Sequence, residues 1–324
     1  MATVTRPMSG ADAALALNVL HRKQRSLWGD AWYRLSRNKM AMLGLGIIIT
    51  MSVIAIFADR LAPYDPTSYF TDNGKRAPTL FEPVWGNPKY VDPRYFLGTD
   101  GIGRDILSRL IYSLRISMVV GFVPVSIIFV MGVTVGMLAG YIGGWVDNFL
   151  MRITDIIYAF PDLLFLILLM ATLRGTGAGD LLGGLLLLFV GIAVVNWVGM
   201  ARLMRGQVLS LKEKEFVEAA RSIGAKPGRI MFRHIFPNAL APLIVAVAFG
   251  VPGAILAEAT LGYLGIGIKP PTATLGVMIN DGFSVFSATP WPLLLPALTV
   301  AVVLLSFTFL GDGLRDALDP RMKT

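Results

Sequence analysis

The chain has 324 residues, of which 55% are hydrophobic and only 15% charged, whereas ordinary soluble domains carry about a quarter charged residues. It contains no cysteine and two histidines, His21 and His234, which excludes disulfides, thiolate metal ligands and cysteine nucleophiles and leaves no basis for a histidine-rich metal centre. The net charge of +8 would suit nucleic acid, but its distribution follows membrane orientation instead, so no nucleic-acid partner is expected.

Residues 1–24 read as a basic tail without regular structure. Trp28, Ala31, Trp32 and Leu35 then fall at i, i+3, i+4 and i+7, with Arg25, Arg34 and Arg37 beside them. That pattern predicts a short helix in the headgroup layer with its tryptophans as anchors; the other reading is a plain N-terminal extension of the first span. Five apolar runs follow, 40–58, 116–139, 181–200, 239–257 and 293–310, none containing Lys, Arg, Asp or Glu. Each is close to the ~20 residues that a helix needs to cross a bilayer core. A sixth run, 163–173, is too short alone. It becomes a span if its helix starts near Ile153 and carries Asp155 and Asp162 in its cytoplasmic half. The expected fold is therefore all-α, a polytopic membrane protein with six transmembrane helices. The first run lies behind Arg34, Arg37 and Lys39, far from Met1, and reads as an uncleaved anchor rather than a leader peptide.

The segment 59–115 is rich in Pro, Asp, Tyr and Gly as far as Tyr95 and reads as irregular. From Gly103 it turns helical, with Ile106, Leu107, Leu110, Ile111 and Leu114 on one face and Asp105 and Arg109 spaced to pair at i,i+4. This stretch is expected on the outer membrane surface before the second span. Within the spans, Gly132, Gly136 and Gly140 recur every four residues and would let two helices approach closely. Pro124, Pro242, Pro252 and Pro296 also lie in spans, where neighbouring helices and water can satisfy the freed backbone groups.

Charge sets the orientation. With a cytoplasmic N-terminus and alternating helices, 19 Lys and Arg fall inside and 10 outside, 8 of the latter within 59–115. Long segments cross largely regardless of charge; without that one the ratio is 19 to 2. Both termini are thus expected in the cytoplasm of a multi-pass membrane protein. The expected organisation is a basic tail with an interfacial helix (1–39), a first span (40–58), an extracytoplasmic segment (59–115), a five-helix core (116–311) with a cytoplasmic loop at 202–236, and a cytoplasmic tail (312–324).

That loop is the most informative segment. Ser210 and Glu213 have capping-box spacing, so a helix is expected to start there. Phe216, Ala219, Ala220 and Ile223 form a small apolar face, and Lys214, Glu218 and Arg221 a charged one. Gly224 is placed to end the helix, Pro227-Gly228 to turn the chain, and 229–234 to resume helically before Pro237 opens the fifth span. The product is a helix–turn–helix with alanines where another protein could approach, or else a basic loop held at the anionic inner leaflet. Polar residues in spans default to functional candidates. Asn196 and Trp197 in the fourth span and Glu258 at the outer end of the fifth could line a translocation path; an interhelical hydrogen bond for Asn196 and a membrane-edge anchor for Glu258 are the competing roles.

Glu218-Ala219-Ala220, Gly224 three residues on and Pro237 thirteen further resemble the EAA loop of binding-protein-dependent importer permeases, with His234 and Phe236 where the general pattern has Ile and Leu. The run from Phe232 to Asn238 is similar to the C-type subunits of oligopeptide and dipeptide permeases. So are Gly98-Thr99-Asp100 with Gly103-Arg104-Asp105, Leu264-Gly265-Ile266-Gly267 with Pro270-Pro271, and the tail from Leu310-Gly311-Asp312 to Asp319-Pro320-Arg321; Gly262 and Tyr263 depart from the usual Ser and Phe. The resemblance runs from about Arg34 to Lys323 and implies a type I ABC importer permease fold, with Glu218, Ala219, Ala220 and Gly224 coupling to an ATPase. It also implies a second permease subunit in a heterodimer, two ATPase subunits, an extracytoplasmic substrate-binding protein, and peptide as the solute, nickel chelates and glycosides being carried by other members.

No G-x-x-x-x-G-K-[ST] loop is present, so ATP hydrolysis is assigned to the partners, and no cofactor is expected. A secondary transporter or channel would call for a coupling acid near a span midpoint and internal pseudo-symmetry, neither of which is evident. A membrane-embedded enzyme would need H-E-x-x-H or an aspartate cluster. The nearest approach, Asp312, Asp316 and Asp319, is interleaved with Arg315 and Arg321.

Overall fold

The computed structural model describes residues 27–68, 93–177 and 179–319; the basic tail at 1–24, the stretch 69–92 and the last residues of the C-terminal motif lie outside this range. The described residues are helical and contain no β-strand, only a single bridge between Thr99 and Asp105.

Helix α1 (Leu27–Arg37) is distinct from α2 (Lys39–Ile56), because Asn38 leaves helical geometry at φ −81° and ψ 103° and its side chain caps the Ala41 N–H. The first segment is thus not a simple extension of the first span. Leu35 is buried while Trp28 and Trp32 are exposed. The one-turn α3 (Ala58–Leu61) follows α2. Helix α4 (Ile106–Ile142) has 37 residues, roughly 55 Å at 1.5 Å per residue, well beyond the ~30 Å of a bilayer core.

The separate surface helix expected from Gly103 is therefore the first three turns of this long helix. Its apolar residues face protein: Ile106 and Leu110 pack with Leu275, Met278 and Trp291. Nor do Asp105 and Arg109 pair. Asp105 is the N-cap, accepting from the Ser108 backbone N–H at 2.7 Å and hydroxyl at 2.6 Å, and burial pushes its pKa up. Arg109, 1% exposed, reaches instead to Asp100 and to Asp281, the latter at 3.0 Å.

The third span is the main departure from expectation. Helices α5 (Gly144–Tyr158) and α6 (Asp162–Leu173) meet at a 74° bend, so the straight helix expected from Ile153 does not form. Pro161 cannot donate to the helical ladder and disfavours helical geometry at Phe160 before it. Among the described residues five other helical stretches are long and apolar enough to cross a membrane, and the bent pair would make a sixth. The fourth helix, α7 (Leu185–Leu211), starts after a 3₁₀ turn at Leu181–Gly184, in which Leu182 and Gly183 have positive φ.

Beyond α7 come α8 (Glu215–Ser222), α9 (Pro227–Ile230), a π turn (Met231–Ile235) and α10 (Phe236–Tyr263). From Pro227 to Tyr263 the helix is continuous over 37 residues. A short helix, α11 (Leu275–Phe283), precedes α12 (Trp291–Leu318).

Helices α4 and α7 form the most extensive packing pair, and glycine makes the pairing possible. A Cβ added at Gly132 would lie 2.9 Å from the Trp197 carbonyl oxygen, at Gly136 2.3 Å from that of Ala201, and at Gly140 3.0 Å from that of Arg205. At the N-terminal end of α4, Asp100 and Asp281 hold Arg104 and Arg109 in one network. Arg104 contacts Asp100 at 2.6 Å and Asp281 at 2.7 Å. It ties the start of α4 to α11, and the Trp291 indole N–H adds a bond to the Thr99 carbonyl at 3.3 Å.

Gly136→Ala is expected to destabilise the solubilised protein by about 1–3 kcal/mol, the usual cost of overpacking. Gly46→Ala, where nothing lies within 4 Å, should be neutral or stabilising by up to about 1 kcal/mol; thermal unfolding of both variants side by side checks the contrast. Arg109→Met should cost about 3–5 kcal/mol by leaving buried carboxylate charge uncompensated. Asp281→Asn should cost less, since a third of that side chain is exposed and solvent screens it.

Candidate functional site

Two regions gather the residues singled out by sequence. The first is α8. Its base is fixed where Arg205 near the end of α7 makes a two-pronged contact with Asp147 of α5, at 2.6 and 2.7 Å, with Arg202 on Asp155 at 2.8 Å one turn earlier. Ser210 lies within α7 rather than capping a new helix; α8 starts at Glu215 behind Lys214, which makes no side-chain cap. The capping box fails because the apolar periodicity of α7 carries its helix past Ser210, with Val208 still buried in the core.

The faces of α8 also differ from expectation. Val217 and Ala220 point inward, joining a cluster with Val208, Ile230 and Ile235. Phe216, Ala219 and Ile223 are exposed, Ile223 to 86%, alongside Glu218. The buried stripe thus runs through Val217 and Ala220, three residues apart, and the remaining apolar side chains are displayed outward.

Gly224 ends α8 as expected. At φ +79° it occupies the left-handed region that other residues enter at a cost of roughly 1–2 kcal/mol. Its N–H donates to the Arg221 carbonyl at 2.9 Å and the Ala225 N–H to that of Ala220 at 3.0 Å, the paired bonds of a Schellman motif. This sharp stop returns the chain into α9 and the continuous helix that includes α10.

The second region is a cavity of about 560 Å³ between α4, α6, α7 and α10. Its walls are mainly apolar, with Val125, Ile128, Ile192 and Phe249 among them, and Gly250 and Gly253 on α10 keep the wall open. Asn196 lines it, its amide donating to the Ile192 carbonyl of its own helix at 2.9 Å and not across helices. Trp197, 6% exposed, is packed in the main core cluster. Glu258 is fully buried beside Thr274, so it is no membrane-edge anchor.

The cavity also contains Asp162, expected from sequence in the cytoplasmic half of one helix starting near Ile153. The Phe160-Pro161 break was the available signal. Among the described residues no group of three His, Cys, Asp or Glu side chains is placed to hold a metal ion.

Comparison with known proteins agrees with this architecture. Residues 132–324 match the family described as binding-protein-dependent transport system inner membrane component, and residues 26–79 match the N-terminal transmembrane domain of oligopeptide transport permease C. The chain is 40% identical to the oligopeptide transport system permease protein OppC of Bacillus subtilis (strain 168), over 94% of this chain and 93% of that one. It is also 40% identical to the dipeptide transport system permease protein DppC of Alkalihalophilus pseudofirmus, over 92% and 91%. In fold it is similar to a chain of the MetNI methionine ABC transporter in an inward-facing form, at a TM-score of 0.50 and 19% identity, covering 65% of this chain and 96% of that one. The chain therefore belongs to the family of inner-membrane permease components of binding-protein-dependent ABC importers.

Proposed function

We propose that this chain forms half of the translocation path of a peptide importer and that α8 receives the work of ATP hydrolysis from separate ATPase subunits. Permeases of this family act together with a further permease, ATPases and a binding protein. The finer assembly proposed is a heterodimer with a second permease, two ATPase subunits below it and an extracytoplasmic binding protein above. The 19-to-2 charge asymmetry supports cytoplasmic termini and a cytoplasmic α8. Peptide as the solute rests on the oligopeptide and dipeptide systems to which the two relatives belong.

One observation carries the coupling role: α8 displays Phe216, Ala219 and Ile223 outward while its inner face and its Gly224 stop are locked. An exposed apolar face on a rigid short helix fits a helix-in-groove contact. Displacement of α8 would pass through the turn at Gly224 into the continuous Pro227–Tyr263 helix, whose far half lines the cavity. In this reading Glu218, Ala219, Ala220 and Gly224 are the coupling residues, Ala219 through close approach and Ala220 by seating the helix. Asn196 lines the path; Trp197 and Glu258 support its walls from behind.

Ile223→Asp places a charge on an exposed position and should leave the fold intact, while reducing ATPase copurification and ATP-driven uptake by at least tenfold, or ~1.4 kcal/mol of coupling contact. Wild-type copurification and uptake in that variant, and in Glu218→Lys, would sink the coupling assignment. Gly224→Ala should weaken uptake and lower stability by about 1–2 kcal/mol, because alanine must enter the left-handed region. The assembled transporter in proteoliposomes, given labelled dipeptide with nickel chelates and glycosides as competitors, tests the solute class.

A further inference from the structure

We propose that Asp162 is the recognition point for a cationic ammonium group of the solute as it crosses the membrane, a reading that rests on the peptide-importer assignment above. The 74° break between α5 and α6 puts Asp162 at the start of α6 and on the wall of the cavity, opposite the middle of α7. Ionisable side chains within membrane-spanning segments are rare and face a cavity or a partner, and Asp162 is exposed on the open wall of this cavity. The neighbouring acid, Asp155, is paired with Arg202 at 2.8 Å. Asp162 is not. Its carboxylate accepts the Leu163 N–H at 2.8 Å, and among the described residues it makes no ion pair.

The rest of the wall has matching chemistry. Besides Asp162, its polar side chains are Asn196 and Thr260. The Asn196 amide nitrogen is committed to the Ile192 carbonyl at 2.9 Å, and the Thr260 hydroxyl proton to the Leu256 carbonyl at 2.8 Å. The Asn196 amide keeps its oxygen and a second N–H, and the Thr260 hydroxyl its acceptor lone pairs, and among the described residues no Lys, Arg or His lines the cavity. A wall with one carboxylate, no cation and further acceptor oxygens complements a group that carries several donors and a positive charge. Ammonium has three donors and no acceptor. Every unblocked peptide supplies it at its amino terminus, and lysine supplies a second. The apolar remainder of the wall accommodates side chains without contributing specific bonds, so the charge can orient the solute while its side chains vary.

The test uses the full transporter in proteoliposomes, with its second permease, ATPases and binding protein, and ATP-driven uptake per assembled complex of Ala-Ala and of Lys-Ala. Asp162→Asn should lower uptake by roughly tenfold, the scale of one partly desolvated charge-assisted contact, and Asp162→Glu should restore most of it. The double variant D162N/N196D, which moves the carboxylate across the same cavity, should recover part of the loss. Equal loss for both dipeptides identifies the α-ammonium as the group recognised, and loss confined to Lys-Ala identifies the basic side chain. Wild-type uptake of both by the Asn variant overturns the proposal. So does failure of that variant to assemble, because an isosteric change would then have exposed a structural role. Absence of ATP-driven dipeptide uptake by the wild-type complex is a different failure, that of the peptide reading itself.

Discussion

Close contact between α4 and α7 is the constraint on which the rest of the molecule depends. Lipid tails are as apolar as leucine, so no hydrophobic force drives helices together within the bilayer; shape and close approach must do it. Gly132, Gly136 and Gly140 provide that approach, with the Ala201 carbonyl oxygen only 2.3 Å from where a Cβ on Gly136 would stand. Once these helices are locked, the positions of their ends follow. The C-terminal end of α7 meets Asp147 through Arg205, which sets where α8 emerges, and the N-terminal end of α4 extends to the ion network with Asp281.

Near α11, two arginines and two aspartates share one network in which Arg109 is 1% exposed. Such a network adds little net stability over apolar packing but penalises any arrangement that separates its members, and so suits a fixed junction between α4 and α11. Near α8, Arg205 holds Asp147 in a two-pronged contact, while Arg202 pairs with Asp155 in a more exposed one that solvent weakens.

Mechanical continuity links α8 to the cavity. The Schellman stop at Gly224 and the short α9 bring the chain directly into α10 through a π turn, so the exposed face of α8 connects to a cavity wall through the turn at Gly224 and helical turns. π turns interrupt the regular helical ladder and are frequent at functional positions. Here the turn lies between the surface that would be pushed and the helix that would move. The bent α5–α6 pair supplies the opposite wall and, with it, Asp162.

By itself the sequence determined those features that depend on a residue and its near neighbours. Five spans were legible because each is a continuous apolar run, and bilayer thickness sets the length. Gly224 was legible as a stop because left-handed backbone favours glycine, and the seam at Gly132, Gly136 and Gly140 because a four-residue interval stays on one helix face. Features that require choosing a partner far along the chain were decided by tertiary structure. Arg109 had Asp105 at helical spacing but binds Asp281, 172 residues away, because Asp105 is consumed as an N-cap. Val217 faces inward in place of Phe216 because Val208, Ile230 and Ile235 converge on that side of α8. Asp162 reads as a residue inside one helix from near Ile153 until the bend at Pro161 and the packing of α6 on α7 place it on the cavity wall. A residue's local preference can be read from its neighbours; the group it meets depends on where all the other helices come to rest.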